Sequence, residues 1–134
     1  MAIATTETLP VRDEQDIVLA RQAVRKLTRH LGFGLVDQTK LVTAASELAR
    51  NVVVYGMGGT LTCETLIESG RKGLRLHFVD QGPGIEDLAQ AMTDGWTSGK
   101  GMGLGLSGAK RLVSEFEIES APGRGTRVTI ARWK

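Results

Sequence analysis

Cysteine is nearly absent from this 134-residue chain: Cys63 stands alone. An internal disulfide is therefore excluded, and a reducing compartment is the natural home. Its place in an alternating, strand-like run makes Cys63 packing material rather than a nucleophile. Strong charge of either sign is missing too. Seventeen basic and fifteen acidic residues leave a formal +2, and no basic run accompanies the pI near 8.9, so nucleic acid is not an expected partner. No apolar run approaches the roughly 20 residues a membrane span needs, and the N-terminus has neither a basic n-region nor an apolar h-region. A membrane is not an expected partner either, and the cytoplasm is the expected location. With no internal repeats, linkers or low-complexity segments, one domain over residues 1–134 is expected. Its 41% hydrophobic and 24% charged residues are those of a globular chain able to bury a core.

Glycine, by contrast, is in excess: 17 residues against a usual share of about 7%. Gly95, Gly99, Gly101, Gly103, Gly105 and Gly108 crowd into fourteen residues. A compact domain concentrates glycine where a ligand or a moving loop needs the backbone. Two stretches stand out, Asp80-Gln81-Gly82-Pro83-Gly84-Ile85 and Gly101-Met102-Gly103-Leu104-Gly105-Leu106. The first sets a carboxylate after a strand. The second opens a helix whose free N–H groups can hold phosphate. With a helix facing them at Ser46-Glu47-Leu48-Ala49-Arg50-Asn51, they read together as an adenine nucleotide site.

Other nucleotide sites are excluded by what is missing. No Gly-x-x-x-x-Gly-Lys-Ser/Thr string occurs. Gly101-x-Gly103-x-Gly105 follows a loop rather than an early strand, and too little chain remains for a doubly wound sheet. The His-Arg-Asp and Asp-Phe-Gly signatures of eukaryotic-type kinases are absent. His30 and His77 lie on different elements without ligand-like neighbours, which disfavours histidine-based metal catalysis.

In chain order, Thr5 to Arg12 reads as a strand that Pro10 confines to an edge or to its own end. Asp13 caps a helix with the stripe Ile17, Ala20, Val24, Leu27 and Leu31, and Arg21, Arg25, Lys26 and Arg29 form a solvated face open to an acidic partner. Gly32-Phe33-Gly34 ends that helix, and Asp37 starts a second at Gln38 with the stripe Leu41, Ala45, Leu48, Val52 and Tyr55. Beside this stripe Glu47 and Asn51, four residues apart, project on one flank. They offer a proton acceptor and an amide oxygen suited to a hard cation, while Arg50 can either neutralise phosphate or pair with Glu47. Gly56-Met57-Gly58-Gly59 breaks the helix. Strands follow over Thr60 to Ser69 and Leu74 to Asp80, joined by a turn at Gly70-Arg71-Lys72-Gly73. Leu74, Leu76, Phe78 and Asp80 share the buried parity, so the Asp80 carboxylate needs a donor from protein or ligand. A short helix is expected over Glu86 to Thr93, a mobile loop to Lys100, and a helix from about Leu104 to Phe116 with Ala109, Leu112, Val113 and Phe116 inward. A final hairpin pairs Phe116 to Ser120 with Thr126 to Trp133 across Ala121 to Gly125.

Glu47-x-x-x-Asn51, Asp80-x-Gly82-x-Gly84, Gly101-x-Gly103-Leu104-Gly105 and Gly125-Thr126 occur in the order of the N, G1, G2 and G3 elements of the GHKL ATPase and kinase superfamily, which the chain resembles over almost its whole length. Within it, Ser46 to Asn51, Asp80 to Ile85, Gly73-Leu74-Arg75-Leu76 and the closing Trp133-Lys134 are similar to the serine/threonine kinases of the bacterial stressosome. The resemblance implies an α+β two-layer sandwich, with helices on one face of a mixed, mainly antiparallel sheet.

It also implies roles. Asp80 would accept from the adenine exocyclic amine with Thr126 beside the base edge, and Gly82, Gly84 and Ile85 would line the turn below it. Asn51 would ligate Mg²⁺, and Glu47 would take or polarise the proton of an acceptor hydroxyl. Arg50, Gly101, Gly103, Leu104 and Gly105 would meet the ATP phosphates, and Lys100, closing a short lid from Thr93, would be their main charged contact. The lid lacks the long insert of many sensor histidine kinases, and no phospho-accepting histidine helix precedes the domain, so self-phosphorylation on histidine is disfavoured. The implied partners are STAS-domain proteins of the RsbS and RsbR type as substrates and a PP2C-type, RsbU-like phosphatase, with a homodimer left open. The alternative is an anti-sigma factor kinase similar to SpoIIAB, and a further reading is a nucleotide-gated scaffold without catalysis.

Overall fold

The edge strand comes first. In the computed structural model, which describes residues 2–85, 92 and 105–134, β1 (Ala2–Val11) forms one border of a five-stranded sheet. Pro10 lies opposite Thr60 of the next strand and, lacking an N–H, is tolerated because the other side of β1 has no ladder partner among the described residues. Helix α1 (Glu14–His30) starts where Asp13 Oδ1 accepts from the Asp16 N–H at 3.0 Å. Its expected stripe is buried at Ile17, Ala20, Val24 and Leu31. The Asp16 carboxylate accepts from the backbone N–H and Nε of Arg12, each at 2.9 Å, fixing the corner between strand and helix.

Helix α2 (Leu35–Val54) begins earlier than expected, with Gly34 as N-cap. Asp37 lies in its first turn rather than before it, and its carboxylate is held by Arg132 at 2.6 Å. After Gly56 to Gly58, β2 (Gly59–Glu68) and β3 (Arg71–Asp80) form a hairpin. The turn is not the four-residue Gly70 to Gly73 segment but the pair Ser69-Gly70. Both have positive φ, 50° and 80°, the signature of a two-residue turn whose twist suits a hairpin, so Arg71 and Lys72 join the ladder. Helix α3 (Gly105–Arg111) is shorter than the expected Leu104-to-Phe116 helix. Phe116 belongs instead to β4 (Glu115–Ser120), which pairs with β5 (Thr126–Trp133) as the last hairpin. The helix expected over Glu86 to Thr93 falls outside the described residues except for Met92.

The sheet order is β1-β2-β3-β5-β4, and every ladder among the described residues is antiparallel, so the mixed character expected of the sheet is not seen in them. The two-layer arrangement is as expected. Strand parity sends Leu61, Cys63, Leu74, Leu76, Phe78 and Ile130 against Leu41, Ala45 and Leu48 of α2 and Val24 of α1, in one continuous core. Each large aliphatic or aromatic side chain buried there contributes roughly 1.5–3 kcal/mol. Burial pushes the Cys63 thiol up to about 12, so it packs and does not attack. On the open face, Glu64 accepts from Arg75 Nε at 2.8 Å and bonds His77 Nε2 at 2.5 Å. Trp133 lies over Gly73, where a Cβ would come within 2.7 Å of the indole.

Candidate functional site

Inward parity carries β3 to Asp80, which is only 7% exposed and pairs in the ladder with Thr126. Burial pushes the Asp80 carboxyl above its ordinary value, and hydrogen bonds from the Gly82 and Thr126 backbone pull it partly back. The first of these runs from the Gly82 N–H to Oδ1 at 2.9 Å. The carboxylate lies against Gly56 at the exit of α2, where any Cβ would collide with it. The Gly56 N–H in turn donates to the Asn51 carbonyl at 3.1 Å. Thus Gly56 ties the strand-end acid to the last turn of the helix that carries Glu47 and Asn51.

The glycines here differ from the expectation that they open space for a ligand. A Cβ on Gly82 would come within 2.8 Å of the Gly56 backbone, and one on Gly84, at φ 79°, would strike the Ala121 carbonyl. Their missing side chains are filled by neighbouring backbone. They let the loop after β3 press against the α2 exit and the β4–β5 turn, and the Gly123 N–H donates to the Pro83 carbonyl at 2.6 Å in that seam.

Ser120, which sequence reasoning missed, ties this seam together. Its hydroxyl donates to the Gly125 carbonyl at 3.0 Å and accepts from the Ile85 N–H at 2.8 Å. With its one proton committed, it acts as acceptor for Thr126 Oγ1 at 2.8 Å, which commits the Thr126 proton and leaves its oxygen an acceptor for any further bond. No motif marks a lone serine at a strand end, so nothing in the sequence signalled it. Ser120→Ala is expected to cost about 1–3 kcal/mol through the orphaned Ile85 N–H, read as a lower urea midpoint. An unchanged midpoint would mean that water replaces the hydroxyl without loss.

On α2, Ala44, Glu47, Leu48 and Asn51 form one i, i+3, i+4, i+7 row, with Ala44 and Leu48 buried and Glu47 and Asn51 half-buried at its border. Asn51 Oδ1 is buried and has no hydrogen-bond partner among the described residues. Such an orphan acceptor costs free energy unless a ligand completes it. Arg50 takes neither expected course: its guanidinium reaches Glu14 of α1 at 3.4 Å on the surface, a long contact of little strength. Ile85 packs on the edge of the core. Gly105, at φ 52°, opens α3, which packs against α2. Lys100, Gly101, Gly103 and Leu104 lie outside the described residues, as does the lid from Thr93. The structure thus brings Asp80, Gly82, Gly84, Ile85, Thr126 and Asn51 to one end of the sandwich, with Glu47 one turn back along α2.

Among the described residues no three or more His, Cys, Asp or Glu side chains cluster as a metal cage, and no helix is long and apolar enough to cross a membrane.

Residues 36–134 match the family of histidine kinase-, DNA gyrase B- and HSP90-like ATPases. The chain is 45% identical over 123 residues to the serine/threonine-protein kinase RsbT of Bacillus subtilis (strain 168), an alignment that covers 92% of each protein. It is 30% identical over 125 residues to the anti-sigma F factor of Thermoanaerobacter sp. (strain X514), covering 89% of this chain and 86% of that protein. Among solved structures, the RsbU and RsbW domains of Rv1364c from Mycobacterium tuberculosis superpose with a TM-score of 0.65 at 19% identity, over 98% of this chain and 33% of that one. The five-stranded antiparallel sheet with its helices on one face is therefore that of a known ATPase fold, and the chain belongs to the histidine kinase-, DNA gyrase B- and HSP90-like ATPase family, among relatives that include the serine/threonine-protein kinase RsbT.

Proposed function

We propose that this kinase transfers the γ-phosphate of ATP to a serine or threonine of a STAS-domain partner of the RsbS or RsbR type and, once released from that partner, activates a PP2C-type phosphatase similar to RsbU. The observation that carries the reading is the linkage through Gly56 of a buried carboxylate, Asp80, to the helix turn that presents the unpaired Asn51 oxygen. Asp80 accepts from the adenine amino group, and Thr126 offers its lone pairs to the base edge. Gly82, Gly84 and Ile85 hold the turn beneath the purine. Arg50, whose contact to Glu14 is weak, swings to phosphate together with Lys100, Gly101, Gly103, Leu104 and Gly105.

Asn51 fits a Mg²⁺ ligand because its amide oxygen is buried and lacks a partner among the described residues, and Mg²⁺ is usually held by one or two protein groups, waters and nucleotide phosphates rather than by a cage. When bound, the ion offsets charge on the phosphate oxygens. Glu47 accepts the proton of the acceptor hydroxyl as its oxygen bonds the γ-phosphorus and the bond to the β,γ-bridging oxygen breaks, leaving ADP.

Incubation with γ-labelled ATP, Mg²⁺ and a purified STAS-domain partner is expected to place label on a serine or threonine of the partner. Retained ATP binding with no labelled partner would overturn the transfer and leave a nucleotide-gated scaffold. The likeness to the anti-sigma F factor supports one second reading, an anti-sigma factor that holds a sigma factor and phosphorylates an anti-anti-sigma protein. Retention of a purified sigma factor on the immobilised chain would favour it, and retention of the STAS partner alone would favour the first.

A further inference from the structure

Strand β3 runs from Arg71 at one end of the sandwich to Asp80 at the other. At the end remote from Asp80, the C-terminal half of α1 overhangs the β1–β2 border and leaves a cleft of about 490 Å³. Its walls are apolar at Leu27, Leu31 and Ile67, with Thr5 and Thr65 bonded to each other by their hydroxyls at 2.6 Å on the floor. Lys26, His30 and Lys72 stand around it, all exposed, and no acid among the described residues lines it. Glu7, the next residue beyond Thr5 on that face of β1, is the acid that follows along the strand. Arg25 and Arg29 on the exposed side of α1 strengthen the same field. In a chain of net charge +2, this is a local concentration of cations rather than a general excess.

Two further features sit at the mouth. Ile67 is 47% exposed, which carries apolar surface out to the opening. The outer edge of β1 has no ladder partner among the described residues, and a bulge falls between Ile3 and Thr5 beside the opening. A small inorganic anion would use the cations but none of this apolar wall. An extended polypeptide would use all three: an aliphatic side chain in the cleft, carboxylates on the rim, and backbone along the edge strand.

We propose that this cleft docks an acidic segment of a partner protein, with an aliphatic side chain seated between Leu27, Leu31 and Ile67 and flanking carboxylates on Lys26, His30 and Lys72. Because the cleft lies at the opposite end of β3 from Asp80, a segment seated there leaves the Asp80 end open, and the inference does not depend on any nucleotide.

The test titrates the ¹⁵N-labelled full chain with a short peptide alternating glutamate and leucine, its analogue with glutamine for glutamate, and decanoate. The acidic peptide is expected to shift the amide signals of Leu27, His30, Thr65 and Ile67 while leaving those of Asp80 to Ile85 in place, and to bind at least roughly tenfold more tightly than the neutral analogue, a difference of about 1.4 kcal/mol. Its affinity falls as salt is raised, and the doubly substituted Lys26→Glu, Lys72→Glu chain, checked for its fold by circular dichroism, loses it. Equal binding of acidic and neutral peptides, shifts confined to other surfaces, full affinity in the double variant, or binding by decanoate alone would each overturn the proposal.

Discussion

Asp80→Asn is expected to bind ATP roughly a hundredfold more weakly, to lose its preference for ATP over GTP, and yet to unfold at a higher urea concentration than the parent chain. The reason lies in the two oxygens of one carboxylate. Oδ1 accepts from the Gly82 N–H at 2.9 Å, so an asparagine must keep its oxygen on that side and turn its amide nitrogen toward the purine. A donor then faces the adenine amino group, also a donor, in a site from which water is largely excluded. A mismatch of this kind costs a few kcal/mol, enough for about two decades in affinity. Guanine, which presents a carbonyl where adenine has its amine, loses no such bond and is discriminated against less.

The stability change has the opposite sign. Burial raises the Asp80 pKa above the ordinary aspartate value of 3.8, so ionisation is less favourable in the folded chain than in the unfolded one. A raised folded value means that this group's contribution is present in full below the unfolded pKa and is lost as pH rises through the folded pKa. At neutral pH the charge therefore opposes folding, and asparagine removes that opposition while keeping the Gly82 bond; what it gives up is the pull of the Thr126 backbone, the smallest of the three influences on this carboxyl. Urea midpoints at neutral and mildly acidic pH, with calorimetry against ATP and GTP, check both halves. Unchanged ATP affinity would remove Asp80 from the purine, and a lower midpoint at neutral pH would show that the carboxylate is better paired than its surroundings indicate.

What could be read in advance depended on range. The α1 stripe, the inward parity of Leu74, Leu76, Phe78 and Asp80, and the edge position of β1 all rest on periodicity or on one residue's backbone chemistry, and those are local. The features that escaped are made by chain meeting chain. Asp37 looked like a helix cap because a cap is a local device, but its partner is Arg132, which also donates to the Leu112 carbonyl. The break at Gly56 read as a helix stop, whereas its lack of a side chain is what lets Asp80 and Gly82 close on the α2 exit. The turn was placed too late and drawn too long because Ser69 in a left-handed conformation is less obvious than Gly73, whose real reason is the indole of Trp133 above it. In the site, the motifs named Asp80, Gly82, Gly84, Asn51 and Thr126, and the fold brings these together. The order within it, with Ser120 orienting Thr126, comes from three hydrogen bonds across two turns that no spacing rule encodes.

Glu47 and Asn51 share a helix row, and their substitutions are expected to fail in different ways. Glu47→Ala should bind ATP with Mg²⁺ as the parent does but slow transfer to the partner by roughly 10²–10⁴-fold, the range a positioned general base supplies. Asn51→Ala should lose the Mg²⁺-dependent part of ATP affinity, since its Oδ1 is the proposed ligand. The folded state gains from that same change: Oδ1 is buried without a partner among the described residues, and alanine is the better helix former by up to about 0.7 kcal/mol, so the variant should be at least as stable as the parent. Asn51→Asp, which keeps an oxygen at that position, should recover part of the metal dependence. Calorimetry with and without Mg²⁺, set beside single-turnover transfer of labelled phosphate, separates the two residues. The parent and Glu47→Ala should show the same gain in affinity on adding Mg²⁺, and Asn51→Ala none. Transfer that survives in Glu47→Ala would take the proton-accepting role from this carboxylate, and a full Mg²⁺ effect in Asn51→Ala would leave its buried oxygen without a ligand to explain it.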